Sequence, residues 1–84
     1  LADATVVKVV DIHNPNMEVV RLTASDGETY TSRKFGQIEG AVAMSNDDSD
    51  AALNIEFSSG VATINWASIT DGNLTLVLYG TIGK

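Results

Sequence analysis

Residues 73–82, NLTLVLYGTI, place leucines at 74, 76 and 78 and set Val77 and Tyr79 on the other parity. On an extended strand, successive side chains point to opposite faces, so this segment is apolar on both sides. A strand of that kind is normally covered on both sides. The chain must therefore find two layers of cover for it, from itself or from a neighbour.

The rest of the chain reads as more strands. β-branched residues recur in short runs, separated by turn chemistry every eight to twelve residues, the pattern of an all-β sandwich or barrel. Strands are predicted near 4–12, 17–24, 28–35, 38–45, 51–58, 61–67 and 73–82, joined by HNPN, SDG, GQ, NDDSD, SG and TDG. Pro15 presets a turn dihedral, and Asp26-Gly27 and Asp71-Gly72 are two-residue hairpin signals. Ser49 and Asp50 are also good helix N-caps. The alternation of Leu53, Ile55 and Phe57 with Asn54, Glu56 and Ser58 nevertheless follows the strand period. The expected fold is one all-β domain over residues 1–84. It is a small antiparallel β-sandwich or partly open β-barrel of about six to seven short strands, ending in a C-terminal meander.

Within that meander, a turn at Ser59-Gly60 pairs Leu53 with Trp66, Ile55 with Ile64 and Phe57 with Ala62. A turn at Asp71-Gly72 would then pair Ile64 with Tyr79 and Trp66 with Val77. The core face collects those residues. The opposite face carries the row Leu74, Leu76 and Leu78, with Ile69 and Ile82 beside it. Fully burying a leucine is worth about 1.5–3 kcal/mol, so the row either closes the fold or makes a subunit contact. Ile69, Leu74, Leu76, Leu78 and Ile82 are thus the candidate interface residues.

Charge and length narrow the partners. A chain of 84 residues removes only a little over ~60% of its unfolded surface from water on folding. Such chains gain from disulfides, a metal or a partner subunit, and with no cysteine here a partner subunit is favoured. The net charge of −6 and the pI near 4.3 argue against nucleic-acid or anionic-membrane binding, both of which want a basic face. No apolar run approaches the ~18 residues of a membrane-spanning helix. Leu1 rather than Met stands first, which leaves room for processed residues upstream.

The candidate chemistry is sparse. MSNDDSD, residues 44–50, groups Asp47, Asp48 and Asp50. An EF-hand frame would want glycine and glutamate where Ala51 and Phe57 stand. The loop reads as a solvated turn whose Asn and Asp side chains bond local amides, with weak calcium binding as the alternative. His13 is the only histidine and shares a strand face with Asp11, which permits an Asp–His contact but not a two-histidine metal site. No G-x-S-x-G stretch, phosphate loop or evident carboxylate pair occurs. Trp66 and Tyr79 read as core packing rather than a sugar-stacking platform. No catalytic residue and no cofactor is expected.

The closing stretch SSGVATINWASITDGNLTLVLYGTIGK, residues 58–84, resembles the small β-structured virion proteins of tailed bacteriophages, such as capsid decoration and head- or tail-associated proteins. The likeness lies in a G-x-x-x-I strand running through a turn into an aliphatic strand that ends in YG. It implies a non-enzymatic structural module in the virion, homo-oligomeric and docked on capsid or tail proteins. This chain lacks the aromatic-rich terminal arm that would anchor it to a lattice. A calcium- or carbohydrate-binding β module is the alternative reading.

Overall fold

The structure, a computed structural model, describes residues 2–13, 15–47 and 51–83. Among the described residues seven strands follow one another: β1 Thr5–Ile12, β2 Met17–Ala24, β3 Thr29–Thr31, β4 Phe35–Ser45, β5 Leu53–Ser58, β6 Val61–Trp66 and β7 Gly72–Ile82. They form two antiparallel sheets. One has the order β1-β2-β7-β4 and the other β3-β6-β5. The chain is all-β, as its patterning predicts, and three of the six predicted connections, SDG, GQ and TDG, behave differently from expectation.

β5 and β6 form the predicted hairpin in the predicted register, Leu53 with Trp66, Ile55 with Ile64 and Phe57 with Ala62. Ser59 takes a positive φ of 52° in the turn. The C-terminal meander stops there. β7 lies in the other sheet, between β2 and β4, where Val77 pairs with Val19 and Val42. Asp71-Gly72 is therefore not a hairpin but part of a crossing between sheets, and so is Asp26-Gly27. In the second crossing Gly27 sits at φ 89°, a conformation glycine adopts without steric cost. Its N–H donates to the Ile64 carbonyl at 2.7 Å, and the Asp26 carboxylate accepts from the Trp66 N–H at 2.8 Å. The polar groups of the crossing thus stitch one sheet to the other.

The third strand also ends earlier than predicted. Ser32 Oγ accepts from the N–H groups of Lys34 and Phe35 at 3.1 and 2.9 Å, which turns the chain before β4. Gly36 and Gln37, expected as a connector, instead lie inside β4. That long strand absorbs them with register slips between Phe35 and Gln37 and between Ile38 and Gly40, as β-bulges do.

The core lies between the sheets. Leu74, Leu76 and Leu78 of β7, with Val20 and Leu22 of β2, face Ile64 and Trp66 of β6, and all are almost fully buried. This corrects the predicted faces. Val77 and Tyr79 are not core residues, because β7 pairs with β2 and β4 rather than with β6; Tyr79 is 52% exposed. Phe57, near the end of edge strand β5, is exposed as well. The leucine row is covered by the chain's own second sheet. Of the two roles it was given, closing the fold is the one it performs within the chain, and no part of those three side chains is left at the surface.

Candidate interaction face

The side of the four-stranded sheet turned away from the core carries a second apolar surface. Its centre is a row across all four strands, Val10 paired with Val19, Val19 with Val77 and Val77 with Val42. Val10 and Val42 are exposed and the two inner valines half-buried. The next row in register is Ile12, Met17, Tyr79 and Gly40. Tyr79 lies across Gly40, where an added Cβ would sit 2.0 Å from the Tyr79 ring carbon Cε1. On the other side of the valines run Lys8, Arg21, Thr75 and Met44, with Met44 exposed. Among the described residues nothing lies over this face.

Charged groups sit at two opposite corners of it. Lys8 and Arg21 are direct cross-strand partners. Neither is in ion-pair contact with a carboxylate among the described residues. At the far corner Glu39 occupies a register slip of β4, and its carboxylate accepts from Thr81 Oγ1 at 2.9 Å. Thr81 shares the parity of Val77 and Tyr79, so Glu39 belongs to the outer side.

A polar cluster closes one end of the sandwich. The Lys34 side chain is only 10% exposed, and its ammonium donates to the Asp11 carboxylate, to the Ile12 carbonyl at 2.6 Å and to the Met17 carbonyl at 3.2 Å. It thereby ties together the two ends of the β1–β2 turn. The hydrogen bond from Lys34 is the main reason the Asp11 carboxyl is held below its ordinary value, with the nearby His13 adding to it. The predicted Asp–His contact is present at 3.7 Å, but Lys34 is the stronger partner. Beneath this, buried Glu18 accepts from Ser32 Oγ at 3.0 Å. Burial, then the nearby Glu18, pushes the Tyr30 hydroxyl well above its ordinary value. Ser32, Glu18 and Tyr30 are all almost fully buried. The groups satisfy or crowd one another and present no reactive atom to solvent.

The remaining candidates are dispersed. Asp47 uses both carboxylate oxygens on Asn73, accepting from its backbone N–H at 2.9 Å and from Nδ2 at 3.3 Å. The backbone bond is the larger cause of its lowered pKa. Asp47 is therefore a turn staple, while Asp48 and Asp50 lie outside the described residues. Among the described residues no three His, Cys, Asp or Glu side chains group as metal ligands. Trp66 is fully buried, which leaves only Tyr79 of the two aromatics that a sugar platform would use. Ile69 is half-buried against the core and Ile82 is 53% exposed at the end of β7; the structure does not bring them together with a surface leucine. An open groove beside β3 is lined by Asp3, Thr29, Thr31 and Arg33 over Tyr30.

The outer valine row was not among the predicted site residues. Its signal is present in the sequence as Val9-Val10, Val19-Val20 and Ala41-Val42-Ala43-Met44, each apolar on both parities just as residues 74–79 are. Among the described residues no helix is long and apolar enough to cross a membrane. Comparison of the chain with protein-family models, with curated proteins and with solved structures finds no match.

Proposed function

We propose that this chain is a non-enzymatic structural module that associates with further copies of itself through the outer face of its four-stranded sheet. The observation that carries the reading is the row Val10, Val19, Val77 and Val42, aligned across four strands with none of the described residues layered over it. Solvent-facing sheet surfaces ordinarily carry polar residues at such positions. Four central positions given to valine, flanked by Tyr79 and Met44, form a contiguous apolar patch of the sort that marks protein contacts. The buried polar cluster fits the same reading, since its side chains are spent on holding the end of the sandwich.

Placement in a virion, on a capsid or tail lattice, is part of the proposal and rests on the likeness of residues 58–84 to phage virion proteins. It is supported if the gene lies among head or tail genes and the purified chain co-sediments with particles from the same genome. A chain that stays in the supernatant refutes it.

Self-association is tested by light scattering over a concentration series, comparing wild type with Val42→Lys. Val42 is 60% exposed, so the variant keeps its fold, which a melting curve checks. Wild type should gain mass with concentration and the variant should stay monomeric. Equal behaviour of the two overturns the role of this face.

A further inference from the structure

The two charged corners of the outer face point to one particular way for two copies to meet. Lys8 and Arg21 face each other across β1 and β2. Like charges directly opposite one another on a sheet are destabilising, and here neither has a carboxylate partner among the described residues. The pair is costly to the lone chain, all the more conspicuous in a protein whose net charge is −6. Glu39 stands at the diagonally opposite corner, on β4, already steadied by Thr81. Three strand spacings and about five residues separate the corners, a diagonal of roughly 20 Å whose midpoint falls between Val19 and Val77.

We infer that two copies pack outer face to outer face about a two-fold axis passing by Val19 and Val77, with Lys8 and Arg21 of each copy against Glu39 of the other. This rests on the self-association proposed above and adds its geometry. A two-fold axis lying in the interface, perpendicular to the Lys8–Glu39 diagonal, exchanges the two corners. Each basic pair then receives an acid, twice over by symmetry, as an isologous contact requires. The same axis rotates the strands of one sheet to nearly perpendicular to those of the other, which is one of the two favoured angles for stacked sheets. An axis along the strands would instead set Lys8 over Met44, and one along the diagonal would set the basic pair on itself. Of these arrangements, only the crossed one pairs the charges and still stacks the valine rows at the centre. The flat outer face, roughly 19 by 20 Å per copy from strand and residue spacings, gives roughly 760 Å² over the two copies, below the size of stable specific interfaces and in the range of weak, transient ones. Association should therefore be concentration-dependent, in about the micromolar range.

Charge reversal tests it, with dissociation constants from sedimentation equilibrium and melting curves to show that each variant is folded. Glu39→Lys decides most, because it brings the net charge closer to zero. General repulsion between acidic proteins would then ease and association would tighten, whereas the crossed pairing requires it to weaken by about tenfold. The double variant Lys8→Glu with Arg21→Glu should weaken it at least as much. Combining all three reversals should restore affinity to within about threefold of wild type, the coupling expected of groups in contact, although the protein is then more acidic. If Glu39→Lys tightens association, or the triple variant stays as weak as the double, the crossed pairing is wrong while association through the face stands. If wild type is monomeric at every concentration, both readings fall together.

Discussion

The two faces of the four-stranded sheet are built from nearly the same side chains and do different things. On β7, Leu74, Leu76 and Leu78 point inward and are fully buried, while Val77 and Tyr79 alternate with them and point outward. On β2, Val20 and Leu22 face the core and Val19 faces out. What separates the faces is the presence of a second layer. β3, β6 and β5 lie over one side, and no described residue lies over the other. Burial follows from what the chain places opposite a residue, not from the residue's hydrophobicity, so an apolar strand marks a need for cover without saying which side the chain itself will meet.

The sharpest way to break this comparison uses neighbours in sequence. Leu76→Asp places a carboxylate beside Val20 in the buried cluster that also holds Trp66 and Ile64, a penalty of several kcal/mol that is comparable with the whole stability of a small domain. The variant should be unfolded at 25 °C by circular dichroism. Val77→Asp, one residue on, should cost about 1 kcal/mol through lost strand preference and leave a cooperative urea transition. If the two variants unfold alike, the assignment of faces fails.

A smaller effect is expected at the polar end of the inner face. Lys34→Met keeps the stem that packs near the Phe35 ring, 5.6 Å from the ammonium, but leaves the Ile12 and Met17 carbonyls without their donor. The loss should be about 1–3 kcal/mol, read from the shift in urea midpoint. An unchanged midpoint would show that the clamp contributes nothing and that the apolar layers alone hold the sandwich closed.

The smallest effect lies at the exposed margin. Asp11 and Asp47 both have folded pKa values below their ordinary 3.8. Their contribution is therefore complete above that value and is lost as pH falls through the lower folded values. Thermal stability should decline from about pH 4 downward, and Asp47→Asn should flatten that decline. A variant that follows wild type through the whole acid range would show that Asn73 does not hold the Asp47 charge.

Much of the fold was legible in the sequence because strand period and turn residues are local. Residues 53–66 gave strand, turn and register together, since a turn at Ser59-Gly60 can reverse the chain onto itself. Asp26-Gly27 and Asp71-Gly72 carry the same chemistry and misled. A turn fixes that the chain changes direction, but not whether the next strand joins the same sheet or crosses to the other. The pairing of Val19 with Val77 and of Val77 with Val42 joins segments dozens of residues apart, and no local signal encodes it. The leucine row therefore shows its need for cover without showing what covers it, and the outer valines carry the same two-sided pattern on strands whose neighbours the sequence does not name. The corner charges were equally hidden. Lys8 and Arg21 become neighbours only once β1 and β2 are in register, past the slip between Val6 and Lys8.

Trp66, the single tryptophan, is fully buried, and its indole N–H has no hydrogen-bond partner among the described residues. It belongs to the sheet remote from the outer valines. The chain thus contains its own optical probe: emission should be blue-shifted while the sandwich is intact and move red when water reaches the indole. Assembly at the far side leaves that colour untouched, so one fluorescence channel separates loss of structure from loss of company.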